Sequence, residues 1–121
     1  MDLSENERLL LVKKKERIFK ITSELMTKEM TILETKSKIN EIVSLLSTIE
    51  CYAKTNRVLS AFTHVALEIN TMFLDNSFRP TKMISAFCIA ANSVKFDFTK
   101  NGLSISMPLK LEAILNKNQF G

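Results

Sequence analysis

Residues 11–46 read LVKKKERIFKITSELMTKEMTILETKSKINEIVSLL, and an apolar residue recurs at every seventh position of this stretch. A straight helix drifts by about 20° per heptad against a strict seven-residue repeat, so the apolar stripe keeps facing a neighbour only if the helix supercoils around it. The pattern therefore predicts a coiled coil. The members of this heptad column are Leu11, Ile18, Leu25, Ile32, Ile39 and Leu46.

A companion column, three residues further along, is apolar at only half of its positions, namely Ile21, Ile42 and Ile49. In the first half of the stretch, apolar residues next to the heptad column widen the stripe, which is typical of a helix that faces more than one neighbour in a bundle. We expect the remainder of the chain to be too short to bury this seam, so that a partner chain is needed. The predicted oligomer interface consists of Leu11, Ile18, Leu25, Ile32, Ile39, Ile42, Leu46 and Ile49.

The first 79 residues contain neither glycine nor proline, which favours long helices there. The heptad column fails after Leu46, and a new apolar stripe from Val58 to Phe73 predicts a second amphipathic helix that stops near Asn76 and Pro80. Residues 53–56 either continue the first helix through a stutter or reverse the chain, and their turn-forming and cap-forming side chains favour a reversal into a helical hairpin.

The C-terminal part carries the signal of a β-hairpin. Apolar and polar residues alternate over 94–98 and again over 103–107, and Asn101-Gly102 ends the loop between the two runs. Residues 82–92 are compatible with a helix or a buried strand, and Pro108 opens a last short helix.

The predicted fold class is mainly α, with an α+β C-terminal part. It comprises a long N-terminal coiled-coil helix, a second amphipathic helix, and a small C-terminal part with a β-hairpin and short helices. The corresponding division is a coiled-coil oligomerisation helix over 1–52 and a compact helix plus β-hairpin domain over 53–121.

The net charge of +4 resides in the second half of the chain, because residues 1–50 contain equal numbers of basic and acidic side chains. Phosphate binding requires basic side chains to converge, and single-stranded nucleic acid also needs exposed aromatic rings. Phe96 and Phe98 alternate with lysines, but they share one face of the hairpin, which favours a core role. The candidate nucleic-acid contacts are Lys54, Arg57, Arg79, Lys82, Lys95 and Lys100.

No constellation of residues indicates catalysis. His64, the only histidine, falls on the polar side of the second helix, near Glu68. Cys51 and Cys88 lie far apart without metal-ligand spacing, and the two glycines exclude a glycine-rich phosphate loop. We therefore predict no catalytic residues, no metal site and no cofactor.

The acidic, polar start MDLSENER does not resemble a signal peptide, and no stretch approaches the ~20 apolar residues of a membrane span. We expect an intracellular protein, cytoplasmic or nuclear, without a membrane span. The leading hypothesis is a non-enzymatic structural or adaptor subunit that assembles through a coiled coil or helical bundle, as a homo-oligomer or a hetero-complex, and docks another component through its C-terminal domain. The alternatives are a nucleic-acid-binding accessory protein that uses the basic half and, third, an enzyme with an unfamiliar site.

Overall fold

The computed structural model describes residues 3–52, 57–73, 78–99 and 102–106. This part of the chain is mainly helical, as predicted. The predictions for residues 53–56, for Asn76, for Lys54 and Lys100, and for a helix after Pro108 lie outside the described residues. The elements, in chain order, are α1 (Glu5–Thr27), α2 (Ile32–Glu50), α3 (Arg57–Thr71), α4 (Thr81–Asn92), β1 (Lys95–Thr99) and β2 (Gly102–Ser106).

The N-terminal segment forms two helices, so the prediction of one long coiled-coil helix is wrong. α1 ends at Thr27, and Lys28 has an extended backbone with φ −107° and ψ 142°. Thr31 then caps α2: its hydroxyl accepts a hydrogen bond from the Glu34 N–H at 3.0 Å and donates one to the Glu34 carboxylate at 3.1 Å. The cap satisfies a backbone donor that is orphaned at a helix start, which makes a new start at this point favourable.

A bidentate ion pair joins α1 to α2. The Arg17 guanidinium donates to both carboxylate oxygens of Glu41, at 2.6 and 2.9 Å, and this interaction holds the pKa of Glu41 below its usual value. The two residues lie at nearly equal chain distances from residues 28–31, as required when the chain reverses there and the helices run antiparallel. The paired N–H···O geometry specifies the register of this helical pair.

α2 also packs against α3. Across their connection, the Ser60 hydroxyl donates a hydrogen bond to the Glu50 carboxylate at 2.9 Å. Residues 82–92, for which the sequence leaves helix and strand open, belong to α4, and Pro80 precedes the first turn of that helix. Because proline has no N–H to offer and a fixed φ, it suits a position at the start of a helix.

One hydrophobic core connects these elements. α1 contacts α2, α4 and β1, and α3 contacts α2, α4 and β2. Phe62 of α3 and Phe87 of α4 meet edge to face, with ring centroids 5.5 Å apart and planes at 80°. The sequence predicts a domain boundary between residues 52 and 53. Buried side chains from both sides of this boundary lie in the same hydrophobic cluster.

β1 and β2 pair antiparallel, from Lys95 opposite Ser106 to Thr99 opposite Gly102. Phe98 is buried, and Phe96 packs against the core and meets Phe19 of α1 edge to face at 5.8 Å. The Lys15 ammonium lies 5.8 Å from the centroid of the Phe98 ring. The predicted core role is thus confirmed for Phe98, and Phe96 is partly buried with one edge of the core behind it.

Candidate docking surface

The residues predicted to form the oligomer interface lie in the core of the chain itself. The heptad column is covered because α1 and α2 fold back on each other and pack on the later elements. One straight helix could not cover its own apolar stripe in this way. Since this apolar area is already removed from water, it is not available to a partner. The buried members are Leu11, Ile18, Ile39, Ile42, Leu46 and Ile49, and Leu25 and Ile32 are half-buried against them.

Three of the seven large apolar side chains that are exposed in the described residues lie at one end of the helical bundle, and the other four are Leu9, Leu10, Leu67 and Ile89. Leu33 is 59% exposed, Phe78 is 52% exposed and Met26 is 46% exposed. They lie in the last turn of α1, the first turn of α2 and the connection that leads into α4, and three half-buried methionines accompany them. We call this surface the methionine end and define it as Met26, Met30, Leu33, Met72, Phe78 and Met83.

A hydrogen bond across the bundle holds the two halves of the methionine end together. The Arg79 guanidinium donates to the backbone carbonyl of Met30, in the turn between α1 and α2. A guanidinium is a strong charged donor, so it can satisfy a backbone carbonyl in the connection between two helices. This contact brings the connection between α3 and α4 next to the connection between α1 and α2.

An open groove of about 370 Å³ lies between the end of α3 and the start of α4. Met72 and Met83 line it, and Phe78 and Pro80 contribute further apolar surface. A smaller cavity of about 70 Å³, on the α1 side of Arg79, is lined by Leu25, Met30 and other residues. The larger groove falls within the size range of sites that enclose a large side chain or a small ligand.

Basic groups border the groove. Arg79 and Lys82 line it, and no acidic residue is among the described residues that do so. α4 begins at this point without a side-chain cap and without an acidic residue in its first turn. The partial positive charge of its N-terminus therefore adds to that of the two side chains. Glu29 and Glu34 lie on the α1–α2 side of the methionine end, outside the lining of the groove.

The candidate nucleic-acid contacts do not converge in the part of the chain that the structure describes. Arg79 and Lys82 are neighbours at the start of α4, whereas Arg57 starts α3 and Lys95 starts β1 after the end of α4. The length of α3 alone separates its ends by about 21 Å, at 1.5 Å per residue. Arg79 and Lys82 therefore lie near the opposite end of α3 from Arg57, which gives little support to one phosphate-binding surface that includes all four side chains.

The described residues contain no group of three or more His, Cys, Asp and Glu side chains that could hold a metal ion. His64 is exposed on α3, as predicted. Cys88 is buried in α4, and burial raises the pKa of its thiol to about 12, so it remains protonated and unreactive near neutral pH. Cys51 is exposed, and its thiol donates to the Ser47 carbonyl at 3.4 Å.

The sequence patterns predicted no docking surface at the apolar side chains of the groove. A phenylalanine between polar residues and a proline, as in NSFRP, is a signal that could have indicated Phe78. Within the described residues, no helix combines the length and the apolar character that are needed to cross a membrane. Comparison of the chain with protein-family models, with curated proteins and with solved structures finds no match.

Proposed function

We propose that this protein is a non-enzymatic adaptor subunit of an intracellular complex, and that it docks another component through the groove at its methionine end. The observation that carries the proposal is the exposed Phe78 ring beside an apolar groove, in a chain whose heptad column is already covered. Clustered exposed apolar side chains are typical of interaction sites, and aromatic residues beside pockets often dominate the binding energy.

The methionines of the groove support the same function. An unbranched thioether side chain adapts its shape to a partner at little cost, and methionine is frequent at adaptable binding surfaces. Met72 and Met83 are each half-buried, so one part of each side chain is anchored in the fold while the other faces the groove. The groove lies in the C-terminal part of the chain, to which the sequence analysis assigns the docking role.

Replacing Phe78 with aspartate tests the proposal, with Leu67→Asp as the matched control, because Leu67 is also exposed but does not line the groove. Tagged full-length chains would be recovered from their source cells, and the accompanying proteins quantified by mass spectrometry. Truncating a dominant interface residue weakens binding by about 2 kcal/mol or more, so we expect a specific partner to fall by at least about tenfold with Phe78→Asp only.

Circular dichroism should show that both variants keep the helical content of the parent, because both positions are exposed. If no accompanying protein depends on Phe78, or if Leu67→Asp causes the same losses, the methionine end is not the docking surface.

A further inference from the structure

We propose, on the premise that this groove is the docking site, that its occupant is an amphipathic helix of a partner protein that carries acidic residues beside its apolar anchors. The proposal specifies the chemistry of the partner, which the docking function alone leaves open. It rests on three features of the described residues: the apolar lining, the basic border and the absence of a strand edge at this end of the bundle.

The lining favours a helix over an extended peptide. An extended peptide carries unpaired N–H and C=O groups and binds best along the edge of a sheet. The described strands begin after the end of α4, whereas the groove lies at the start of that helix. A helix satisfies its own backbone and presents anchors at i, i+3, i+4 and i+7, so it can use a groove that is walled mainly by the side chains of Met72, Phe78 and Met83.

The border determines the charge of the partner. Lys82 is exposed beside the groove, Arg79 lines it, and the N-terminus of α4 points its partial positive charge to the same place. Acidic side chains that flank the anchors of the partner would meet attractive potential, and basic ones would be repelled. The basic charge of Lys82 therefore contributes to selectivity, while Phe78 and the methionines contribute the apolar contact.

Two other occupants have less suitable chemistry. Residues 107–121 of the chain itself contain an apolar run, but with Lys110 and Lys117 against Glu112 they carry net positive charge, like the border of the groove. A nucleic acid would be attracted by Arg79 and Lys82 but would leave the apolar lining exposed. A partner helix with acidic flanks is the occupant that matches both the lining and the border.

The test measures fluorescence anisotropy of two labelled synthetic helices with the full-length chain. Both peptides have Leu and Phe at i, i+3, i+4 and i+7; one has glutamate at the flanking positions and the other has lysine there. We expect the acidic peptide to bind at least about tenfold more tightly than the basic one at moderate salt. Phe78→Ser should weaken binding of the acidic peptide by a similar factor, and Lys82→Glu should reverse the preference between the peptides.

The control variants are Leu67→Ser and Lys13→Glu, which change exposed residues that do not line the groove and should leave both affinities unchanged. Equal affinities for the two peptides, or an unchanged preference in Lys82→Glu, would overturn the proposal. Acidic-peptide binding that appears only after Leu111→Asp and Ile114→Asp would also overturn it, because residues 107–121 would then occupy the groove. A dimer in light scattering that Phe78→Ser dissociates would likewise overturn the proposal.

Failure of the acidic-helix proposal can be distinguished from failure of the docking function. If the acidic peptide does not bind but a cellular partner is lost with Phe78→Asp, the docking function stands and the acidic helix is wrong. If no cellular partner depends on Phe78, the docking function itself is wrong.

Discussion

Replacing Ile39 with aspartate should unfold the protein. Ile39 is fully buried near the middle of α2, in a core that side chains from α1 and α3 share. Removing the side chain of a buried isoleucine costs about 2–5 kcal/mol, and burying an unpaired carboxylate adds a further desolvation cost. Because domains of this kind are stable by only roughly 5–15 kcal/mol, most of the helical signal should be lost. Circular dichroism with urea titration measures the effect.

Leu33→Asp is the matched control, because it introduces the same charge on the same helix at an exposed position. A surface change of this kind alters the free energy of unfolding by roughly 0.5 kcal/mol or less, so the control should melt like the parent. A folded Ile39→Asp chain whose mass in light scattering falls from that of an oligomer to that of a monomer would contradict the fold. The heptad column would then join separate chains, as the sequence analysis expected.

Replacing Phe87 with alanine should destabilise the fold by about 3–5 kcal/mol, the usual cost of removing a buried aromatic side chain. Phe87 is almost completely buried, and its ring meets Phe62 edge to face at 5.5 Å, so the change removes a favourable aromatic pair and leaves a cavity. Urea unfolding followed by circular dichroism gives the free energy of unfolding.

Ile89→Ala provides the comparison, since it lies two residues further along α4 and is half exposed. Its loss of stability should remain below about 1 kcal/mol, because little apolar area leaves the core. Equal effects of the two substitutions would mean that α4 does not pack on α3 through Phe87.

The heptad column predicted an apolar face on α1 and α2, and in the structure most of its members are buried against side chains of the same chain. A seven-residue period shows that Ile18 and Ile39 lie on an apolar face, but it does not say whether the facing helix belongs to another chain or to the same chain. The folded-back arrangement places Arg17 against Glu41, two residues that a continuous helix would hold about 36 Å apart, at 1.5 Å per residue.

The sequence contains a recognisable helix-capping signal at residues 28–31, although the heptad column continues through this turn. Thr31 and Glu34 have the spacing of a helix N-cap, threonine followed three residues later by glutamate, and the structure uses both side chains at this position. Leu25 and Ile32 remain seven residues apart across the turn, so the periodicity continues through a break in the helix. Local capping chemistry is therefore the better indicator of where a helix ends.

Most of the described residues that line the groove are consecutive, from Phe78 to Met83, but Met72 comes from before the connection. Met72 follows α3, Phe78 lies in the connection and Met83 lies in the first turn of α4, so their proximity depends on how two helices pack. Arg79 and Lys82 were two of the six candidate nucleic-acid contacts, but only the fold shows that they border an apolar surface and lie apart from Arg57 and Lys95.

The distance between α1 and α2 tests the central claim most directly, namely that one chain buries its own heptad column. Spin labels at Lys13→Cys and Ser44→Cys, in a chain with Cys51→Ser and Cys88→Ala, would be measured by pulsed electron paramagnetic resonance after dilution with unlabelled chain. Packed helices lie roughly 8–10 Å apart axis to axis, so we expect a distance between the two labels of less than about 25 Å that survives dilution. A distance of about 46 Å, as in one continuous helix, or a short distance that disappears on dilution, would contradict it.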